Sequence, residues 1–441
     1  MAVTRAETVR DVGRRLWRRT ARRVQGAAAR RRGLLAYLAV IGPGMIAASA
    51  GNDAGGIATY ASAGADYGYH LVWTLIPLVL ALGLVQETCA RMGAVTGKGL
   101  SDLIREQFGV RWTVLVMGAL LVANGGVTVS EFVGIAAATE LFGVPRFASV
   151  PLAAFAVWWL VVKGSYRRVE RVFLLMSLVF LGYIVSAFLA RPDWGEMAGA
   201  LARPEFRPDA GYLFTVVALI GTTISPYMQV FVQSSVVEKG VTADDYPLTR
   251  ADVWTGTAFA MAVAFFIMVA TAATLHRAGV RIETAEQAAL ALEPLAGQYA
   301  KVLFGVGLFG ASMLAAGVLP LATAYSISEA LGFEKGVSRS FREAPIFIGI
   351  FTFLIVVGGV VAIIPGLPLF RVLLVTQVIN GLLLPVLLVF VLLLARRRDL
   401  MGDDHRNGWV YNAASWLTVA AVSALSLLFI ASRLFPNLLN L

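Results

Sequence analysis

Ser49-Ala50-Gly51-Asn52-Asp53-Ala54-Gly55-Gly56 interrupts an apolar run that begins near Leu34 and continues to about Ala65. A carboxylate at hydrocarbon depth costs about 2.5–3.5 kcal/mol on insertion scales unless it faces a cavity or a partner. Glycines and an asparagine surround Asp53, and these form helix poorly and permit irregular backbone. Non-helical backbone inside a bilayer is tolerated only where it is buried in protein or lines a polar cavity. The stretch therefore reads as a broken helix whose gap presents carbonyls and one carboxylate to a cation. The plainer alternative is a flexible kink carrying a stray acid.

Working outward, the 441 residues are 58% hydrophobic and only 15% charged, against about 25% charged in a soluble domain. The class is all-α polytopic membrane protein. The net charge of +10 does not point to nucleic acid, because its location is special. Eleven arginines fall between Arg5 and Arg32, opposed only by Glu7 and Asp11. Residues 1–33 are thus a basic cytoplasmic tail that sets topology and contacts anionic lipid. The first apolar run is too long for a cleavable signal peptide and lacks a clear cleavage site. The single cysteine, Cys89, excludes an intrachain disulfide framework and reads as a small buried residue. His70, His276 and His405 fall near expected span ends, so no buried histidine cluster is expected for zinc or proton relay.

Taking roughly 20 residues as the length that spans, about eleven runs qualify. They lie near 34–66, 70–95, 112–142, 147–164, 170–190, 211–238, 252–276, 299–332, 344–364, 369–395 and 410–434. With the arginine tail inside, five connections that hold most of the remaining short-loop Lys and Arg also fall inside, as the positive-inside rule requires. The loop with Arg191, Arg203 and Arg207 is the exception. The sixth run is also interrupted, at Gly221-Thr222-Thr223-Ile224-Ser225-Pro226-Tyr227-Met228. Proline removes a backbone donor and clashes with the preceding turn. Two interrupted spans, each opening a set of five, are what an inverted five-plus-five repeat produces, with substrate held between them at mid-membrane. A single transporter domain over 34–441 follows. Its first repeat covers about 34–190, its second about 211–395, and one extra helix about 410–434.

The residues also resemble a family. Gly42-Pro43-Gly44-Met45, the Asp53 break and Gly68-Tyr69 are similar to the first span of the NRAMP divalent-metal transporters. The likeness continues through Gln86-Glu87-Thr88 to Gly97-Lys98, through Ser130-Glu131-Phe132 in the third span, and through Ala218 to Ser235 in the sixth. Gln377-Val378 with Pro385 resembles the tenth span. The resemblance implies a LeuT-type fold and a metal site between spans 1 and 6. It also makes Gln377 a contributor to that site, with a helix–helix hydrogen bond as the alternative.

The departures from the family pattern carry chemistry. Asp-Pro-Gly-Asn becomes Asp53-Ala54-Gly55-Gly56, so the asparagine oxygen is lost at Gly56. The sixth-span Ala-x-x-Met-Pro-His becomes Thr222-Thr223-Ile224-Ser225-Pro226-Tyr227, which removes a thioether and a histidine. The second sixth-span histidine falls on Val232, and the third-span aspartate on Thr128. A thioether favours soft ions over magnesium. Magnesium dehydrates reluctantly and is usually held, with several waters, by one or two carboxylates. One aspartate in a roomy, hydroxyl-lined cavity suits a partly hydrated magnesium ion, with manganese also admitted. Met228 lies one turn past Ser225 and either swings its sulfur to the ion or packs; packing is preferred. Glu131 is either a structural acid bonded to the broken backbone, the preferred reading, or a protonation site. Since neither threonine nor tyrosine titrates near neutral pH, uncoupled uptake is expected.

The expected metal set is Asp53 with the broken backbone at Ser49, Ala50 and Gly56, the hydroxyls of Thr222, Thr223 and Ser225, and Gln377. Glu131, Tyr227 and the i,i+4 pair Glu87–Arg91 are candidates for gating, coupling or internal structure. Gln377 and Asn380 place two amides on one helix face. No P-loop, dinucleotide fingerprint, Gly-x-Ser-x-Gly or His-Glu-x-x-His occurs, so a membrane enzyme is the weakest class. The expectation is a monomeric cell-membrane magnesium transporter without a cofactor. A proton-coupled manganese or iron symporter, an organic-solute carrier and a membrane sensor stand as alternatives.

Overall fold

The computed structural model describes residues 51–163, 181–207, 209–333 and 343–435. The basic tail, Ser49 and Ala50 lie outside them. Among the described residues there is helix and no strand. The first span resumes as α1, Ala54–Tyr67, and a tight 3-10 turn over Gly68–Thr74 leads into α2, Leu75–Thr96. The second helix thus starts five residues later than residue 70, because the 68–74 segment is wound into that turn. Next come α3 (Leu100–Phe108), α4 (Val110–Glu140), α5 (Arg146–Lys163), α6 (Leu181–Leu189) and α7 (Trp194–Ala202). Of the expected fifth run, only 181–190 is described.

The second half opens with α8, Ala210–Thr223, and α9, Pro226–Glu238. It continues with α10 (Tyr246–Thr271), α11 (Ala300–Leu331), α12 (Pro345–Ala362), α13 (Leu369–Ala395) and α14 (Trp409–Leu434). Nine stretches among the described residues are long and apolar enough to cross a membrane, the first of them joining α1 and α2 over 54–96.

Helices of the two expected repeats pack on one another. α1 packs on α8, α2 on α10, α4 on α11, and α5 on α12. Each pair joins helices of the same ordinal position in the two expected repeats. Close approach depends on glycine where backbones meet. A Cβ at Gly221 of α8 would lie 2.0 Å from the Gln377 carbonyl oxygen of α13. Small residues at such crossings let helices pack where the solvent drives nothing together. The contact sets α13 directly beside the sixth-span break.

Candidate functional site

The start of α1 and the break in the sixth span form for local reasons. Asp53 sits at the N-cap of α1 with extended backbone, and its Oδ1 accepts from the Gly56 N–H at 2.6 Å. A carboxylate at this position satisfies an orphan donor and complements the positive end of the helix dipole. In the sixth span, α8 ends when Ile224 donates to the Ile220 carbonyl at 2.9 Å. Pro226 then opens α9 at its first turn, where a missing N–H costs nothing. The Gly221 carbonyl, freed by the break, accepts from the Ser225 hydroxyl at 2.8 Å and from the Asn380 amide at 2.8 Å.

Asp53 is fully buried, and its second oxygen, Oδ2, has no hydrogen-bond partner. The Thr222 hydroxyl and both amide atoms of Gln377 are also buried without partners. These groups are neighbours. A Cβ built on Gly56 would lie 3.0 Å from Thr222 Oγ1 and 3.2 Å from Asp53 Oδ1, and one on Gly55 would lie 1.9 Å from Gln377 Nε2. Buried polar groups are ordinarily satisfied. A cluster that includes a carboxylate oxygen and is not satisfied has the donor set for a cation.

Glu131 joins the same helix end: its Oε2 accepts from the Ala54 N–H at 3.2 Å, and its Oε1 accepts from Ser130 at 3.2 Å. Two acids therefore hold the first N–H groups of α1. Tyr227 is buried just past the second break.

The geometry corrects the expectation in three respects. Gly56 does not leave an open space, because a Cβ there would meet the Gly51 carbonyl oxygen at 2.8 Å. With no side chain to exclude it, backbone has moved in, and a carbonyl oxygen stands beside the place where an asparagine would begin. Second, Thr223 is turned away from the cluster, its hydroxyl 2.8 Å from the Tyr60 hydroxyl. Third, Ser225 is engaged at the break, donating to Gly221 and accepting from Asn380 Nδ2 at 2.7 Å. Thr222 is the one hydroxyl of the expected three that has no partner.

Glu87 and Arg91 are brought together elsewhere, at 3.7 Å, and their partners are Tyr411 of α14 and Asn407. Met228 is buried, with its sulfur 3.7 Å from Gln86 Nε2 of α2. Sequence reasoning quoted Gln86 only as part of a motif, and a polar residue beside an apolar run is the signal that would have found it. His70 and His276 line a cavity of about 180 Å³ with Asp66, Glu205 and Arg207, at the end of α1 away from Asp53. There the Arg207 guanidinium, 2.8 Å away, holds the Glu205 carboxyl below its ordinary range.

Among relatives, the chain is 29% identical over 402 residues to a divalent metal cation transporter, MntH, of Pectobacterium carotovorum, covering 88% of this chain and 92% of that protein. In structure it is similar to the Eremococcus coleocola manganese transporter in complex with an aromatic bis-isothiourea compound, with a TM-score of 0.72 at 20% identity over 91% of this chain and 89% of that one. MhsT in complex with L-phenylalanine aligns with a TM-score of 0.57 at 15% identity, over 88% and 98%. These structural likenesses concern the fold alone, which is of the LeuT type that two interrupted spans predict. The family model described as natural resistance-associated macrophage protein-like matches residues 44–432, so the chain belongs to the Nramp family.

Proposed function

We propose that this protein carries divalent cations across the cell membrane by alternating access, that magnesium is its preferred ion with manganese also admitted, and that protons are not coupled to the flux. The observation that carries the reading is the composition of the unsatisfied cluster: Asp53 Oδ2, Thr222 Oγ1 and the Gln377 amide are buried without hydrogen-bond partners. The sulfur of Met228, the methionine just past the sixth-span break, has Gln86 as its partner. Hard oxygen donors around a single engaged carboxylate suit an ion that keeps part of its water shell. The relatives and structural neighbours named divalent metal and manganese transporters support the cation class.

Glu131 has a structural role in this reading, since it bonds the first N–H of α1. Thr128 and Val232 stand where the family resemblance would place titratable groups, which leaves no relay there. The inside-negative potential then drives entry, at about 4.6 kcal/mol per 100 mV for a divalent ion. The arginine tail lies inside and contacts anionic lipid, and the chain acts as a monomer.

Uptake into liposomes that carry both a magnesium dye and a pH dye tests the proposal. The expected result is magnesium and manganese influx that rises with inside-negative potential, with no acidification that tracks it. Proton influx proportional to metal influx would overturn the uncoupled reading. Manganese uptake without magnesium uptake would overturn the preference.

A further inference from the structure

Asn380 is one turn beyond Gln377 on α13 and is fully buried. Its Nδ2 lies 2.8 Å from the Gly221 carbonyl oxygen and 2.7 Å from Ser225 Oγ. The Ser225 hydroxyl proton is itself directed at Gly221 O, 2.8 Å away. These partners determine which way the amide faces. Turned over, the Asn380 oxygen would stand against the Gly221 carbonyl oxygen, and acceptors do not pair. The oxygen is therefore Oδ1 as placed, and it is buried with no hydrogen-bond partner. A buried acceptor left unsatisfied costs about 1–3 kcal/mol, and apolar residues of similar size would avoid that cost at this position.

We infer that Asn380 is a cation-site residue: its amide nitrogen clasps the sixth-span break while its oriented Oδ1 serves as a neutral oxygen donor to the ion or to a water the ion carries. The clasp keeps the freed Gly221 carbonyl bonded within protein. The donor adds an uncharged oxygen from α13 beside the Gln377 amide, so the third wall of the site contributes two amides. Neutral oxygens hold a partly hydrated ion without adding charge to a site that already contains two acids.

The inference rests on the cation site at Asp53, and the test separates the two. Manganese and magnesium binding is titrated calorimetrically on the purified full chain, with melting temperature measured alongside, for wild type, Asp53→Ala, Asn380→Ala and Asn380→Ser. Asn380→Ala is expected to weaken binding of both ions by about tenfold. Asn380→Ser keeps a hydroxyl that can donate to Gly221 but presents no oriented carbonyl; it is expected to melt as wild type does and still bind about tenfold more weakly. It also decides the matter if the alanine variant does not fold. Wild-type affinity in Asn380→Ser, with binding lost in Asp53→Ala, would overturn the role of Asn380 alone. Wild-type affinity in Asp53→Ala would overturn the site itself.

Discussion

Among the places where the described residues bury strong polar groups, α2 and the two broken spans differ in how those groups are satisfied. In the second half of α2, the Glu87 carboxylate has Arg91 at 3.7 Å and the Tyr411 hydroxyl as partners, and the Arg91 guanidinium lies 5.3 Å from the Tyr411 ring. At the two breaks, Asp53 Oδ2, Thr222 Oγ1 and Gln377 have none. The same expense of removing polar groups from water applies to both. Where partners come from the chain itself, the cluster ties α14 to α2 and is structure. Where they are missing, the proposed substrate would make the deficit good.

The sharpest way to break this comparison is to remove one acid from each place. Asp53→Ala is expected to lower metal uptake more than about 100-fold, since the single engaged carboxylate contributes most of the attraction at low local dielectric. Its melting temperature should stay within a few degrees, because losing an N-cap costs about 1 kcal/mol and a buried charge is removed at the same time. Uptake at wild-type rate in this variant would end the site assignment. Arg91→Leu should do the reverse. Leaving Glu87 buried beside no cation costs about 3–5 kcal/mol, read as a fall in melting temperature in detergent. Uptake per folded molecule should remain within about twofold. If uptake collapses while the protein stays stable, the pair gates transport and the contrast with the break fails.

A finer test lies at Gly56. The Gly51 carbonyl, Thr222 and Asp53 come within 2.8, 3.0 and 3.2 Å of the Cβ position there. Contact with a backbone oxygen at 2.8 Å forces the backbone to shift, so Gly56→Ala is expected to cut magnesium uptake by about tenfold. Gly56→Asn returns a side-chain oxygen while displacing the same carbonyl. It should recover manganese uptake more than magnesium uptake. Equal recovery of both ions would show that the oxygen at residue 56 has no part in selection.

How much of this was readable beforehand follows from which features break a local rule. Asp53 among glycines, and Pro226 after three hydroxyls, contradict an apolar helix within a few residues of chain, so the start of α1 after Asp53 and the sixth-span break were visible. The direction of each hydroxyl was not, because Thr223 is turned by Tyr60 on another helix and Ser225 by a carbonyl the break itself releases. The carbonyl of Gly51 was invisible for a different reason: an absent side chain reads as space, whereas backbone fills it. The start of α2 at Leu75 instead of residue 70 was missed because hydropathy cannot distinguish a 3-10 turn from the helix it joins.

The smallest expected effect bears most directly on ion preference. Met228 is the sulfur nearest in sequence to the second break, and a thioether there would argue for soft ions. Its Sδ lies 3.7 Å from Gln86 Nε2, within the reach of a weak hydrogen bond to sulfur. A thioether that accepts from a buried amide gives up a contact if it turns to a metal, and magnesium offers it little in return. Met228→Leu, close in volume, should therefore change magnesium uptake by less than about twofold, at a stability cost below about 1.5 kcal/mol. The same substitution should leave cadmium a poor competitor of magnesium uptake, as it is expected to be in the wild type. Strong cadmium inhibition of the wild type that disappears in Met228→Leu would place sulfur in the site and would favour manganese as the natural cargo.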